Sequence, residues 1–381
     1  MSPETLSNAR IVTDKGIQSG QTVVIDNGII LSVADDDIAT GSCHSSRDLG
    51  GQLLAPGFVD VQVNGGGGVL FNDKPTIDTI RTIGSAHRQF GTTGFLPTLI
   101  SDDLDVMTTA IRAVEDGLKA GVPGLLGIHL EGPFLSAAKK GVHNAKKFRT
   151  LDADAIGLLC SLKKGVTVVT LAPETTTPEV IRSLVDAGVI VCAGHSNASY
   201  EQTRAALDAG VTGFTHLFNA MSPLTSREPG VVGAALDDAN SWCGLIMDGH
   251  HVHEASARVA VASRPTGRCI LVTDAMPSVG AVEKPFELGG RRIIVLNGKC
   301  ETEDGTLAGS DLDMIGAVRN SIRMLRTRPD EALRMASQYP AEFTGHGNSL
   351  GRIQSGFRAN LVLLDDDLEV VETWIDGVAM Q

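Results

Sequence analysis

The residues able to do chemistry fall at the ends of apolar runs. Glu131 closes the run from Gly124 to Leu130 and is followed at once by Gly132-Pro133-Phe134. That run is apolar on both faces, the pattern of a buried parallel strand, and Gly-Pro stops it. A carboxylate delivered to such a strand end can ligate a metal, act as general base or pair with a buried cation. His195 in Gly194-His195-Ser196 and His216 in Thr215-His216-Leu217 stand at matching points of successive runs, and Asp274 ends a further one. Two histidines and two carboxylates so placed are hard to accommodate as core and point to a metal site. Neutral imidazoles with a carboxylate suit zinc or another borderline divalent ion with one position open to water. Such an ion lowers the pKa of water towards neutrality. Hydrolysis then needs a group that takes the water's proton and hands it to the leaving group. Asp274 is placed for this, and a nearby dication favours its ionised form.

These residues need a scaffold that brings strand ends together. Eight apolar strands are expected at 58–64, 94–100, 124–131, 166–173, 189–195, 213–218, 242–248 and 269–274, with helical stretches such as 199–209 between them. Eight βα repeats imply an α/β fold, a (β/α)8 TIM barrel, whose strand ends carry the site. Residues 1–55 read instead as short strands and turns, with Asn27-Gly28 as a hairpin signal. Residues 348–381 look alike, so both chain ends are expected to build one small β-sandwich domain around a catalytic barrel of 56–347. After the eighth strand, 276–310 reads as an irregular insertion with a hairpin at 291–303. Its glycine-bracketed end, Gly305 to Ser310, suggests either a lid over the site or an ordinary connecting loop. Helices are expected at 311–325 and 329–343.

Composition narrows the function classes. A length of 381 residues with 42% hydrophobic and 20% charged content is that of a globular protein with a large core. The net charge of −13 argues against nucleic acid or an anionic membrane as partner. No apolar run reaches membrane-spanning length, and no signal peptide is evident in the first residues. The six cysteines, Cys43, Cys160, Cys192, Cys243, Cys269 and Cys300, are scattered without a CxxC pair. They are expected to be reduced thiols in a cytoplasmic protein. His44, His87 and His346 are expected to be surface or packing residues.

The segments Pro56-Gly57-Phe58-Val59-Asp60-Val61-Gln62-Val63-Asn64-Gly65, His129 to Phe134, Lys140-Gly141-Val142-His143-Asn144, Leu171-Ala172-Pro173-Glu174, Ala193 to Ala198, Thr215 to Met221, Arg227-Glu228-Pro229-Gly230, Asp248 to Val252 and Val272 to Ala275 together resemble the amidohydrolase superfamily. Within it they resemble the deacetylases of 6-phosphorylated N-acetyl amino sugars, nearly end to end. The resemblance implies one divalent metal per chain held by Glu131, His195 and His216, with Zn2+ first and Fe2+, Co2+ or Mn2+ as alternatives. It implies Asp274 as general acid/base and His143 as the group that polarises the acetamide carbonyl. Asn219, the backbone at Ala220, Arg227 and His251 would hold the sugar phosphate, and Leu307 joins the expected substrate contacts. Arg227 would reach across a homodimer interface. Where most of the superfamily carries His-x-His, this chain has Gln62 and Asn64. Amides are poor metal ligands, so one catalytic metal is expected. Gln62 is expected to hydrogen-bond the water or the acetamide, while His250, His251 and His253 are expected to meet substrate or solvent. Glu174 reads as a structural hydrogen-bond partner. The implied reaction is hydrolysis of N-acetyl-D-glucosamine 6-phosphate to D-glucosamine 6-phosphate and acetate. The galacto epimer is the nearest alternative substrate, and a non-catalytic scaffold the alternative class.

Overall fold

Parallel strands pair in chain order: β1 (Phe58–Val63), β2 (Thr92–Ile100), β3 (Gly127–Glu131), β4 (Val166–Leu171), β5 (Ile190–Ala193), β6 (Gly213–Phe214), β7 (Trp242–Leu245) and β8 (Cys269–Leu271). This is a computed structural model, which describes residues 3–35 and 45–380; Cys43 and His44 lie outside the described residues. The sheet closes into a barrel just beyond β8. Asp274 N–H donates to the Gln62 carbonyl (3.0 Å), Asn64 N–H donates to that of Ala275 (2.9 Å), and Val63 bridges Ala275 in parallel. The sides of the first and last strands are also joined through a buried carboxylate, Asp60, which accepts the Thr273 hydroxyl at 2.5 Å. Burial pushes Asp60 up to about 7 against these hydrogen bonds. Strands β1, β3 and β4 are buried on both faces, as near-continuous apolar runs require.

The later strands are shorter than the apolar runs suggest. The last residues of those runs have left the ladder: His195, His216 and Asp274 have φ of 47°, 35° and 52°. Non-glycine residues rarely adopt this left-handed backbone, and it turns each side chain out of the strand's alternation.

Both chain ends build the small β-sandwich domain. Its strands run in the order Val378–Met380, Val370–Ile375, Leu361–Leu364, Leu53–Pro56, Glu4–Thr13, Gly16–Asp26 and Ile29–Asp35, with Ser45–Asp48 beside Glu4–Thr13. Ile30 near one end of this order and Trp374 near the other share one core with Leu6, Val23, Leu54 and Leu361, so the sheet curls over itself. Asn27-Gly28 makes the expected hairpin turn, both residues having positive φ.

The insertion is more ordered than expected. It forms a four-stranded antiparallel sheet, β9 (Phe286–Leu288), β10 (Arg291–Leu296), β11 (Lys299–Thr302) and β12 (Leu307–Ser310). The stretch read as a lid is thus largely the last strand, fixed to the barrel by Ser310 N–H on the Asp274 carbonyl and by Met276 N–H on that of Ser310. The final helical stretch is also corrected. It breaks at Ser337 into α1 (Pro329–Ala336) and α2 (Gln338–Phe343), because Pro340 has no N–H for the Ala336 carbonyl. None of the described helices is long and apolar enough to cross a membrane. Cys160, Cys192, Cys243, Cys269 and Cys300 are free thiols.

Candidate active site

The ends of β3, β5 and β6 converge on one point. Glu131 Oε1 lies 3.1 Å from His195 Nε2 and 2.9 Å from His216 Nε2, and the two nitrogens are 3.1 Å apart. All three side chains are buried. His195 Nδ1–H donates to the Lys139 carbonyl at 2.8 Å, which leaves its Nε2 lone pair facing the other two atoms. Burial works to raise Glu131, but the close approach of the His195 and His216 rings holds it well below the usual carboxylate range. Burial likewise works to lower His216, and Glu131 raises it. The donor set fits a divalent cation. The three separations are close to a tetrahedral edge, about 3.3 Å for ligand bonds near 2.0 Å, and lone pairs packed this tightly need positive charge between them. Among the described residues this is the one His/Cys/Asp/Glu group with such convergence.

Asp274 stands beside this triangle. Asn64 Nδ2 donates to its Oδ1 at 2.6 Å, and Gln62 Nε2 donates to the same oxygen at 3.2 Å and to Glu131 Oε2 at 3.2 Å. Burial first, and then the Glu131 charge, push Asp274 up to about 6, against His216, His251 and the Asn64 amide. The chain's own groups thus lift Asp274, and a dication bound by the triangle would draw it back towards the ionised form that a base needs.

A polar chain lies beneath the site. His129 Nδ1–H donates to the Val61 carbonyl (3.0 Å), so Nε2 accepts the Thr170 hydroxyl (2.8 Å), and Thr170 in turn accepts that of Thr215 (2.6 Å). Burial lowers His129 to about 4, so it is neutral. The chain links β1, β3, β4 and the residue before His216. Gly194 has no Cβ because one would lie 2.7 Å from Thr170 Cγ2 and 3.0 Å from Thr215 Cβ.

Above the triangle is a cavity of about 370 Å³ lined by Glu131, His143, His195, His216, Asn219, Ala220, His251, Asp274 and Leu307, together with Asn64. The expected residues therefore meet, with two exceptions. Gln62 is buried out of contact with the cavity, and its amide is given to the two carboxylates. Arg227 is exposed, off the cavity of its own chain. His251 Nδ1–H donates to Asp248 (2.6 Å). Burial works to raise Asp248, but this bond, the His251 charge and the backbone N–H groups of His251 and His250 hold it below its usual range. His250 bonds the Asn297 carbonyl (3.1 Å), and His253 caps its helix by accepting from Ala255 N–H (3.1 Å). Glu174 accepts Ser196 Oγ–H at 2.7 Å and Asn197 N–H at 2.6 Å, bracing the loop behind His195. His87 is a core residue, and His346 is half-buried with Nδ1 3.2 Å from the Thr344 hydroxyl.

Sequence reasoning assigned no role to Asp60 or Ser101. A polar residue just past a barrel strand was the available signal for Ser101, which follows β2 and touches His143.

The amidohydrolase family pattern matches residues 53–380. An N-acetylgalactosamine-6-phosphate deacetylase of Shewanella sp. (strain ANA-3) is 43% identical over 371 residues, 97% of this chain and 94% of that protein. An N-acetylglucosamine-6-phosphate deacetylase of Haemophilus influenzae is 35% identical over 376 residues, 98% of each chain. The crystal structure of N-acetylglucosamine-6-phosphate deacetylase from Pasteurella multocida superposes with a TM-score of 0.95 at 35% identity, covering 99% of both chains.

Proposed function

The chain belongs to the amidohydrolase family, and from that premise we propose that it hydrolyses the acetamide of N-acetyl-D-glucosamine 6-phosphate to D-glucosamine 6-phosphate and acetate. The observation that carries the reading is the Glu131–His195–His216 triangle with Asp274 beside it at one cavity. Glu131, His195 and His216 would hold one divalent ion, Zn2+ by the chemistry of the donors, with Fe2+, Co2+ and Mn2+ compatible. When bound, such an ion supplies the positive charge that acidifies water and polarises a carbonyl. Asp274 takes a proton from the attacking water and returns it to the amine as the C–N bond breaks. Gln62 and Asn64 hold one of its oxygens, which leaves the other for the proton. His143 donates to the acetamide oxygen as charge builds there. Asn219, the Ala220 backbone, His251 and an Arg227 from a second copy hold the phosphate, and Leu307 packs on the sugar. These local donors compensate a net charge of −13. Reduced thiols fit a cytoplasmic enzyme.

A second reading, the galacto epimer, is favoured by the 43% identity to the Shewanella deacetylase. The test is acetate release from both epimers, with metal measured on the same sample. The expected outcome is a higher kcat/KM for the gluco sugar, about one metal per chain, and activity abolished by chelation and restored by a divalent ion. A higher value for the galacto sugar would transfer the assignment to it. A metal-replete protein inert on both would remove the deacetylase reading.

A further inference from the structure

Ser101 is the first residue beyond β2, and its hydroxyl lies 2.8 Å from His143 Nδ1. Its backbone N–H points at the same ring nitrogen from 3.4 Å. A main-chain N–H can only donate. Had Nδ1 carried a proton, two N–H groups would face each other across this gap. Nδ1 is therefore an acceptor, and the same geometry excludes the imidazolium, in which both nitrogens are protonated. The hydroxyl's other acceptor within reach is the Glu131 carbonyl at 3.5 Å. A proton shared between 2.8 Å and 3.5 Å resides on the shorter bond. Gly132 makes room for this arrangement, since a Cβ there would lie 2.3 Å from Ser101 Oγ. The other ring nitrogen, Nε2, has no protein partner among the described residues, and the His143 ring lines the cavity.

We infer that Ser101 is a positioning residue that fixes His143 as its Nε2–H tautomer, so that the ring presents a donor, not a lone pair, to the carbonyl of the scissile amide. The distinction matters chemically. A lone pair at Nε2 would repel the oxygen on which negative charge develops, whereas an N–H stabilises it. The tautomer follows from the geometry alone. Its catalytic consequence rests on the deacetylase reading above.

The test is 15N NMR of histidine-labelled, zinc-loaded protein without substrate, with His143 assigned by its absence in His143→Gln. The expected spectrum has a pyridine-like Nδ1 and a pyrrole-like Nε2. In Ser101→Ala the 2.8 Å hydroxyl contact is lost and only the long 3.4 Å N–H remains, so the two shifts should move part of the way towards each other as the other tautomer gains population. With the better epimer, kcat should fall about tenfold to a hundredfold, less than for loss of an oxyanion donor itself, at unchanged KM and metal content. Ser101→Thr, which keeps the hydroxyl, should retain the wild-type spectrum and kcat. A pyrrole-like Nδ1 in the wild type, or a Ser101→Ala variant unchanged in spectrum and kcat, would overturn the inference. Failure of the wild type to release acetate from either sugar would instead overturn the functional reading, because the spectrum decides the tautomer without any turnover.

Discussion

Asp274 carries the heaviest demand of any single side chain, since it must exist in both protonation states during one turnover. Asp274→Asn keeps the shape and still lets the main-chain bonds of residue 274 close the barrel, but it removes the proton carrier. We expect kcat to drop about 10²- to 10⁴-fold with metal content and KM nearly unchanged. Near-normal turnover in that variant would take Asp274 out of the mechanism. A second histidine away from the metal triangle gives a pH prediction. His87 donates Nε2–H to the Gly65 carbonyl at 2.9 Å, and its Nδ1 is buried without a partner. Burial lowers its pKa from 6.5 to about 4, the Gly65 bond working the other way. A depressed pKa means that the folded chain resists a proton the unfolded chain accepts. The stability is therefore present above pH 6.5 and is lost as pH falls towards 4, by about 3 kcal/mol for this group. His87→Gln cannot titrate. Its unfolding free energy should fall less steeply than wild type across that window, by up to about 1.4 kcal/mol per pH unit in denaturant titrations. Parallel curves would show that His87 takes up its proton in the folded state.

The insertion sheet shows what elements contribute. Its last strand, β12, is stitched to the end of β8 on either side of Asp274, and Ser310 Oγ–H also donates to the Thr273 carbonyl at 2.5 Å. Gly309 stands at the crossing with φ of 59°, and a Cβ there would lie 2.5 Å from Met276 Cγ and 2.8 Å from the Asp274 carbonyl. Gly309→Ala should therefore displace Asp274 as well as strain the turn. The expected cost is about 1–3 kcal/mol of stability, seen as a lower Tm, together with a fall in kcat larger than any change in KM. A variant with full kcat would mean that β12 holds the fold and not the carboxylate. The eight barrel strands were legible because doubly buried strands are apolar throughout, and the turns at Asn27-Gly28 and Asn297-Gly298 because they need positive φ. That Glu131, His195, His216 and Asp274 would meet was legible because the ends of barrel strands converge. What stayed hidden depends on contacts far apart in sequence. Nothing in Gly305 to Ser310 announces a strand, because its partners are Lys299 to Glu301 and Ala275. Gln62 and Asn64 read as amides in place of a second metal's ligands, with Gln62 expected to bond the water or the acetamide. Their role as donors to Asp274 appears only once the barrel has brought β1 against β8. Ser101 was silent for the same reason, since His143 lies 42 residues further on.

At the scale of the whole molecule, the position of Arg227 bears on how many chains build one site. Arg227 is exposed, on a loop whose shape is set by Glu228, whose carboxylate accepts Tyr200 N–H at 2.9 Å and Gly230 N–H at 3.0 Å. Leu224, close before it in the chain, is 54% exposed and lines an apolar groove with Pro223 and Val259, the latter 61% exposed. A loop held rigid, carrying an arginine off its own cavity next to apolar surface, is what a homodimer that exchanges arginines would present. Arg227→Ala alone should raise KM sharply for the phosphorylated sugar and little for the unphosphorylated one. That result would be the same whether the arginine serves its own site or its partner's. Co-expression of Arg227→Ala with Asp274→Asn separates the two. If Arg227 acts across the interface, each mixed dimer has one site with an intact Asp274 and an Arg227 donated by the other chain. Random pairing of equal amounts then returns about a quarter of wild-type activity at low substrate. If Arg227 serves its own chain, no site in the mixture has both residues and the activity stays at the sum of the two variants. A protein that elutes as a monomer at assay concentrations, yet still loses phosphate affinity in Arg227→Ala, would place the arginine in its own site after all and require the loop to swing inward.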